Sequence, residues 1–79
     1  MAPGFTYRIK IREQLDESWS AQLGNLSILP DPQTNGTIIT GLVRDQAALR
    51  GLLNQIFNFN LTLVRLERVE QPANLEIKL

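Results

Sequence analysis

The sequence predicts an α+β domain in which two helices pack on one face of a four-stranded antiparallel sheet. Apolar and polar residues alternate with a period of two near the start, which is typical of a half-buried strand. Apolar residues at helical spacing follow two candidate capping residues, Asp16 and Asp45. β-Branched and aliphatic runs occupy residues 37–42 and 61–69. The resulting order β-α-β-β-α-β is that of a ferredoxin-like sandwich, with the first and third strands in the middle of the sheet.

The chain is expected to form a single domain over residues 1–79, with a βαββαβ core at 5–69 and a tail at 70–79. In the first strand the apolar positions face one side: Phe5, Tyr7, Ile9 and Ile11. Asp16 is expected to cap the first helix, whose apolar stripe has a spacing of four residues: Leu15, Trp19 and Leu23. Gly24-Asn25 is its stop signal.

The middle of the chain predicts a hairpin. Residues 26–29 are expected to form the second strand, and residues 37–42 the third. The connecting residues 30–36 contain two prolines and end in Asn35-Gly36, a pair that tolerates positive φ.

The main helix begins after its cap Asp45, and its apolar positions follow the pattern i, i+3, i+4, i+7, i+8. These positions are Ala48, Leu49, Leu52, Leu53, Ile56 and Phe57. Asn58 or Asn60 is expected to end the helix in the left-handed conformation. In the last strand Val64 and Leu66 are predicted to point inward. The helical members of the predicted core are Trp19, Leu23, Leu49, Leu52, Leu53 and Ile56, and the strand members are Tyr7, Ile9, Ile11, Ile39, Val64 and Leu66.

The tail at 70–79 contains three aliphatic residues at strand spacing, which are Leu75, Ile77 and Leu79. A disordered tail rarely has this pattern, so a fifth strand is expected, either on the edge of its own sheet or on that of a partner. The alternative is a frayed terminus whose alternation arises by chance.

Gly51 is placed on the solvent side of the main helix, about 150° or more from the apolar face, and is stacked on Ala47. A helical glycine is less stable than alanine by roughly 0.5–1 kcal/mol, so we expect a compensating role. One interpretation is a small-residue groove that a partner backbone approaches closely. The other is an exposed alanine beside a tolerated glycine.

Composition excludes several kinds of site. The chain has no cysteine and no histidine, so it lacks disulfides, imidazole or thiolate metal ligands and the corresponding nucleophile–base pairs. Asp45 and the pair Asp16-Glu17 are explained as caps rather than catalytic acids. We therefore predict no enzymatic activity, no cofactor and no metal. Residues 1–4 do not resemble a signal peptide, and no apolar run is long enough to span a membrane, so a cytoplasmic location is expected.

Arg8, Lys10 and Arg12 form a basic row on the other side of the first strand, where Arg65 and Glu67 are expected as neighbours. A solvated, partly charge-paired face is the expected interpretation. RNA binding would need exposed aromatic side chains beside this row, and Phe5 and Tyr7 lie on the opposite side. Eight acidic residues balance eight basic ones, so nucleic acid is an unlikely partner.

One segment resembles a known group of proteins. Asp45-Gln46-Ala47-Ala48-Leu49-Arg50-Gly51-Leu52-Leu53 is preceded by Thr40-Gly41-Leu42-Val43, and Leu15-Asp16-Glu17-Ser18-Trp19 lies upstream. These segments resemble short uncharacterised bacterial proteins with a D-Q-A-A-L-x-G-L-L helix and a Leu-Asp-x-x-Trp segment. The resemblance covers roughly residues 7 to 69 and implies one compact domain, with no activity attached.

The functional expectation is a small non-enzymatic interaction module that self-associates as a homodimer. Self-association is the remaining way to stabilise so small a core without disulfides or metal. The candidate surfaces are Ala47 with Gly51, and Leu75, Ile77 and Leu79. Two alternatives stay open, a regulatory small-ligand domain of ferredoxin-like type and weak RNA binding on the basic row.

Overall fold

The computed structural model describes residues 4–69, which form an open, four-stranded antiparallel sheet covered on one face. The strands are β1 (Phe5–Ile11), β2 (Ser27–Pro30), β3 (Thr37–Val43) and β4 (Leu63–Val69). Their spatial order is β2-β3-β1-β4, so the first and third strands are central. The prediction of a small α+β fold with this kind of sheet is confirmed.

The first predicted helix is a 3-10 helix, Glu17–Gln22, so the described chain contains one α-helix instead of two. Asp16 caps it as predicted, because its side chain accepts from the backbone N–H of Ser18. Its backbone hydrogen bonds join residues three positions apart: the N–H of Leu23, for example, donates to the Ser20 carbonyl at 3.0 Å. Gly24 and Asn25 take positive φ of 72° and 61° and stop the segment after six residues. A segment this short gains little from α-helical propagation.

The helix α1 (Gln46–Asn58) begins and ends as predicted. The Asp45 carboxylate accepts from the N–H of Ala48 at 2.8 Å, and Asn60 takes a left-handed φ of 65°. The buried face is narrower than predicted, because Ala48 is exposed and Phe57 is 55% exposed. The flank of α1 that carries Phe57 has no second α-helix beside it in residues 4–69.

The last strand corrects the prediction that Val64 and Leu66 point inward. Lys10 pairs with Arg65, but Ile11 pairs with Leu63, so a bulge leaves Val64 out of the register. The extra residue breaks the period of two, and Val64 is 60% exposed. Leu66 does share the covered face with its register partner Ile9, but it lies on the outer strand and remains 37% exposed.

The hydrophobic core lies between the sheet and α1, with contributions from the segment 23–28. Its buried members are Ile9, Ile11, Leu23, Leu26, Ile28, Ile39, Val43, Leu49, Leu52 and Ile56. Tyr7, Trp19 and Leu53 pack on it from the edge, as half-buried residues. Leu26, Ile28 and Val43 were not predicted as core. Leu26 extends over Gly41, whose Cβ, if present, would lie 2.6 Å from Leu26 Cδ2.

A group of polar residues joins the end of β1 to two distant segments, and no local sequence pattern indicates it. Buried Thr37 donates its hydroxyl to the Glu13 carbonyl at 2.7 Å and accepts from the N–H of Leu15 at 3.0 Å. The Glu13 carboxylate accepts from the N–H and the hydroxyl of Thr62, at 2.7 and 2.8 Å. We call Glu13, Thr37 and Thr62 the polar clasp. It holds the chain after β1 against the residues that lead into β4.

Because of the polar clasp, we expect the stability of the fold to be sensitive to acid. The N–H of Thr62 is the main reason that the pKa of Glu13 is lowered from its ordinary 4.5. A carboxyl whose pKa is lower when folded stabilises the fold above the unfolded pKa, and this contribution is lost as the pH falls through the folded pKa. As the pH falls below about 4.5, the Glu13→Gln variant should therefore lose stability less steeply than the parent protein. Thermal melts between pH 3 and 7 measure this. The same slope in both proteins would contradict the role of Glu13.

Candidate interaction surfaces

The uncovered face of the sheet carries the predicted basic row, and two of its three members are paired. Arg8 Nη1 lies 3.7 Å from Glu67 Oε2, and Arg65 Nε lies 3.4 Å from the same oxygen. Lys10 Nζ lies 4.0 Å from Asp31 Oδ2. Arg65 and Glu67 are neighbours of this row, as expected, because Lys10 is in register with Arg65 and Arg8 with Glu67. Two carboxylates, Glu67 and Asp31, thus balance part of the positive charge of this face.

Arg12 lies just beyond the end of β1 and is exposed, with its backbone N–H donated to the Thr62 carbonyl at 3.0 Å. It borders a cleft of about 320 Å³ between the β2–β3 loop and the bulge of β4. The cleft residues are Lys10, Ile11, Arg12, Asp31, Thr34, Val64 and Arg65. Three cations around one carboxylate give the cleft a positive balance.

Asp31 is nearly buried at the base of this cleft and was interpreted from the sequence only as part of the loop. Its Oδ1 accepts from the N–H of Gln33 at 2.9 Å, and its Oδ2 accepts from the hydroxyl of Thr34 at 2.9 Å. The Gln33 N–H is the main cause of the lowered pKa of Asp31, with Lys10 adding a smaller effect. Asp31 therefore stays ionised and shapes the loop.

The loop closes against β1 through Gly36. A Cβ at Gly36 would lie 2.3 Å from the carbonyl oxygen of Ile11, so only glycine fits this close approach. Asn35 takes a positive φ of 70°, as the predicted turn requires, whereas Gly36 does not.

The described aromatic rings lie away from the uncovered face. Phe5 and Tyr7 share the covered face with Ile9, and Arg68 lies over the Phe5 ring at 4.2 Å. Trp19 and Phe59 form an edge-to-face pair at 5.1 Å. The basic row is thus without the stacking rings that a sheet uses to bind single-stranded RNA.

Gly51 and Ala47 are both exposed on α1, as predicted. Among the described residues, a Cβ at Gly51 would meet no atom within 4 Å. No other part of residues 4–69 makes the close backbone approach that the glycine suggested. Leu75, Ile77 and Leu79 lie outside the described residues.

Comparison with protein families finds one match. A family described as a domain of unknown function, DUF8691, matches residues 6–67, which include β2, β3, α1 and all but the outer ends of β1 and β4. The chain belongs to this family. No curated protein and no solved structure matches the chain significantly.

The family domain, as far as the structure describes it, contains no group of three or more metal-ligating side chains. Nor does any helix within residues 4–69 have the length and apolar character needed to cross a bilayer. Three surface features of residues 4–69 are candidates for function: the α1 patch at Gly51, the cationic cleft, and the outer strand β4.

The open space at Gly51 gives a prediction about stability. Gly51→Ala should raise the free energy of unfolding by about 0.5–1 kcal/mol, because alanine is the better helix former and meets no obstacle. Urea denaturation measures it. Gly24→Ala is the control, since the positive φ of 72° at Gly24 should make that change destabilising. A destabilised Gly51→Ala protein would mean that another backbone does occupy this surface.

Proposed function

We propose that this domain is a small, non-enzymatic interaction module whose partner is a second copy of the same chain. The observation that carries the proposal is the incomplete cover of the sheet. One α-helix and a 3-10 helix lie over four strands, and large apolar side chains remain exposed on α1 and on the outer strand. They include Phe57 on α1 and Leu66 on β4. Apolar surface of this kind favours a protein partner.

A second copy is the partner that the charges favour. The chain carries eight basic and eight acidic residues, so two copies approach without net repulsion. A core this small has a stability of only a few kcal/mol, and burying the exposed apolar residues between two copies would add to it.

The carboxylates support a non-enzymatic role. Glu13, Asp16 and Asp31 all have lowered pKa values, each mainly because the carboxylate accepts hydrogen bonds from residues nearby in the fold. Asp45 is engaged as the cap of α1. A general acid at neutral pH would need a raised pKa instead.

The proposal also covers the fold, the cellular location and the origin of the protein. The order β2-β3-β1-β4, with a crossover after β1 and another after β3, supports a ferredoxin-like sandwich whose first helix is reduced to a 3-10 helix. The balanced composition supports a cytoplasmic location, and the resemblance in the α1 segment supports a bacterial origin.

Self-association is tested by the concentration dependence of thermal unfolding. If folding and dimerisation are coupled, a hundredfold rise in protein concentration adds about 2.7 kcal/mol per dimer and raises the melting midpoint by several degrees. We expect this rise between 1 and 100 µM. The same midpoint at both concentrations would speak against the proposal.

The cationic cleft favours a second candidate function, the binding of a small anionic ligand. Lys10, Arg12 and Arg65 border it, and Ile11 and Val64 add an apolar wall. A thermal-shift series with inorganic phosphate, citrate and mononucleotides tests this, because a ligand at 100 times its Kd adds about 2.7 kcal/mol of stability. Lys10→Gln should abolish any shift. A shift that persists in this variant would place the ligand elsewhere.

A further inference from the structure

β4 is the outer strand of the sheet that residues 4–69 form. It pairs with β1 along one side, and no described strand lies on the other. Alternate residues of such a strand direct their N–H and C=O groups outward, where they can bond to another strand. The opposite edge of the sheet is β2, which is only four residues long and ends in Pro30. The seven residues of β4 therefore form the better edge for pairing.

We infer that β4 pairs with β4 of a second copy, antiparallel and in a register centred on Leu66. This inference rests on the proposed self-association and assigns its surface. A two-fold axis at Leu66 makes the contact isologous, so each copy offers the same strand to the other. The two four-stranded sheets would then join into one.

The charges of β4 select this register. With Leu66 on the axis, Arg65 lies opposite Glu67 of the partner subunit, and Glu67 lies opposite the partner's Arg65. Opposite charges directly across an antiparallel pair stabilise it, and like charges destabilise it. Centring the pair on Arg65 or on Glu67 would instead place that charge against its own copy. The sequence of the strand is thus complementary to itself in one register.

The surroundings of these charges fit the arrangement. Arg65 and Glu67 share the uncovered face, since their side chains approach to 3.4 Å within one chain. Glu67 also lies 3.7 Å from Arg8 on β1. In the dimer Glu67 would lie between Arg8 of its own chain and the partner's Arg65. The result is a row of alternating charge across the new junction.

The covered face contributes an apolar contact. Leu66 shares this face with Ile9 and is 37% exposed, and on the axis it would lie against Leu66 of the partner subunit. Each copy has its bulge at Val64, which would lie at one end of the paired stretch, opposite the partner's Arg68. The three central residue pairs, formed by positions 65–67 of the two copies, therefore lie in regular β-strand.

A single cysteine tests the register directly, because the chain has none of its own. Residues opposite each other in a sheet have Cα atoms about 4.5–5.5 Å apart, within the range that a disulfide needs. Leu66→Cys should therefore form a covalent dimer under mild oxidation. Val64→Cys is the control, since in this register the two copies of position 64 are about 13 Å apart along the strands. Val64 is the more exposed of the two, so accessibility alone would favour the control.

Charge reversal gives an independent test. In Arg65→Glu both positions 65 and 67 are negative, and in Glu67→Arg both are positive. Each variant alone should dimerise about tenfold more weakly than the parent or worse, whereas an equimolar mixture should form a heterodimer with all pairs complementary. Arg50→Glu makes the same charge change on the exposed side of α1 and should leave the dimer unchanged. Circular dichroism of each variant checks that it is folded.

The outcomes separate this inference from the proposed function. A parent protein that stays monomeric refutes both. A dimeric parent that gives no disulfide with Leu66→Cys, or equal disulfide with Val64→Cys, refutes the β4 register alone. The β4 register is also refuted if Arg65→Glu leaves the dimer intact and Gly51→Leu abolishes it. That result would place the contact on α1.

Discussion

Replacing Ile56 with alanine should lower the free energy of unfolding by about 2–5 kcal/mol, the range measured for removing large aliphatic side chains from a core. Ile56 is fully buried, at 0% exposure, and packs within the cluster between α1 and the sheet. The total stability of a domain this small is only a few kcal/mol, so the variant should be largely unfolded at room temperature. Urea denaturation followed by circular dichroism measures the loss.

Phe57→Ala is the matched control for this prediction. Phe57 is the next residue in α1 but is 55% exposed, so its removal should cost much less. Leu53→Ala, at a half-buried position, should fall between the two. If Phe57→Ala were as destabilising as Ile56→Ala, the phase of α1 relative to the sheet would be wrong.

Thr37→Val should be the second severe change, with an expected loss of about 1–3 kcal/mol for a buried group left unsatisfied. Valine has nearly the shape of threonine, so packing is preserved. The change removes the hydroxyl that bonds the Glu13 carbonyl and the Leu15 N–H at 2.7 and 3.0 Å. Both backbone groups would lose their hydrogen-bond partner. Thr37 is fully buried, so water does not reach position 37 to replace the hydroxyl.

Thr37→Ser separates the hydrogen bonds from the packing. Serine keeps the hydroxyl and loses a methyl group, so Thr37→Ser should retain more stability than Thr37→Val if the polar clasp is the main contribution. Thermal melts of the two variants at neutral pH make the comparison. The reverse order would mean that packing of the methyl group is what Thr37 provides.

The elements that could be predicted from sequence are those with local signals. The alternation in β1, the caps Asp16 and Asp45, and the left-handed Asn60 each depend on a few neighbouring residues, and the structure has all of them. The 3-10 helix at Glu17–Gln22 was predicted as α-helix because an apolar stripe of three residues does not distinguish the two at that length.

The parts that were missed depend on distant residues. The bulge that exposes Val64 arises from the pairing of β4 with β1, more than fifty residues earlier in the chain, and no local pattern marks it. The bonds between Glu13 and Thr62 join residues 49 positions apart. Gly51 was correctly placed on the exposed side of α1, but no atom of residues 4–69 would contact a Cβ there, so its sequence signal does not identify a partner.

The mass of the unmodified protein in solution tests the central claim, self-association, most directly. Size exclusion coupled to light scattering at tens of micromolar should give twice the chain mass of 8.9 kDa, shifting toward the monomer on dilution. A single species of 8.9 kDa throughout that concentration range would contradict the account.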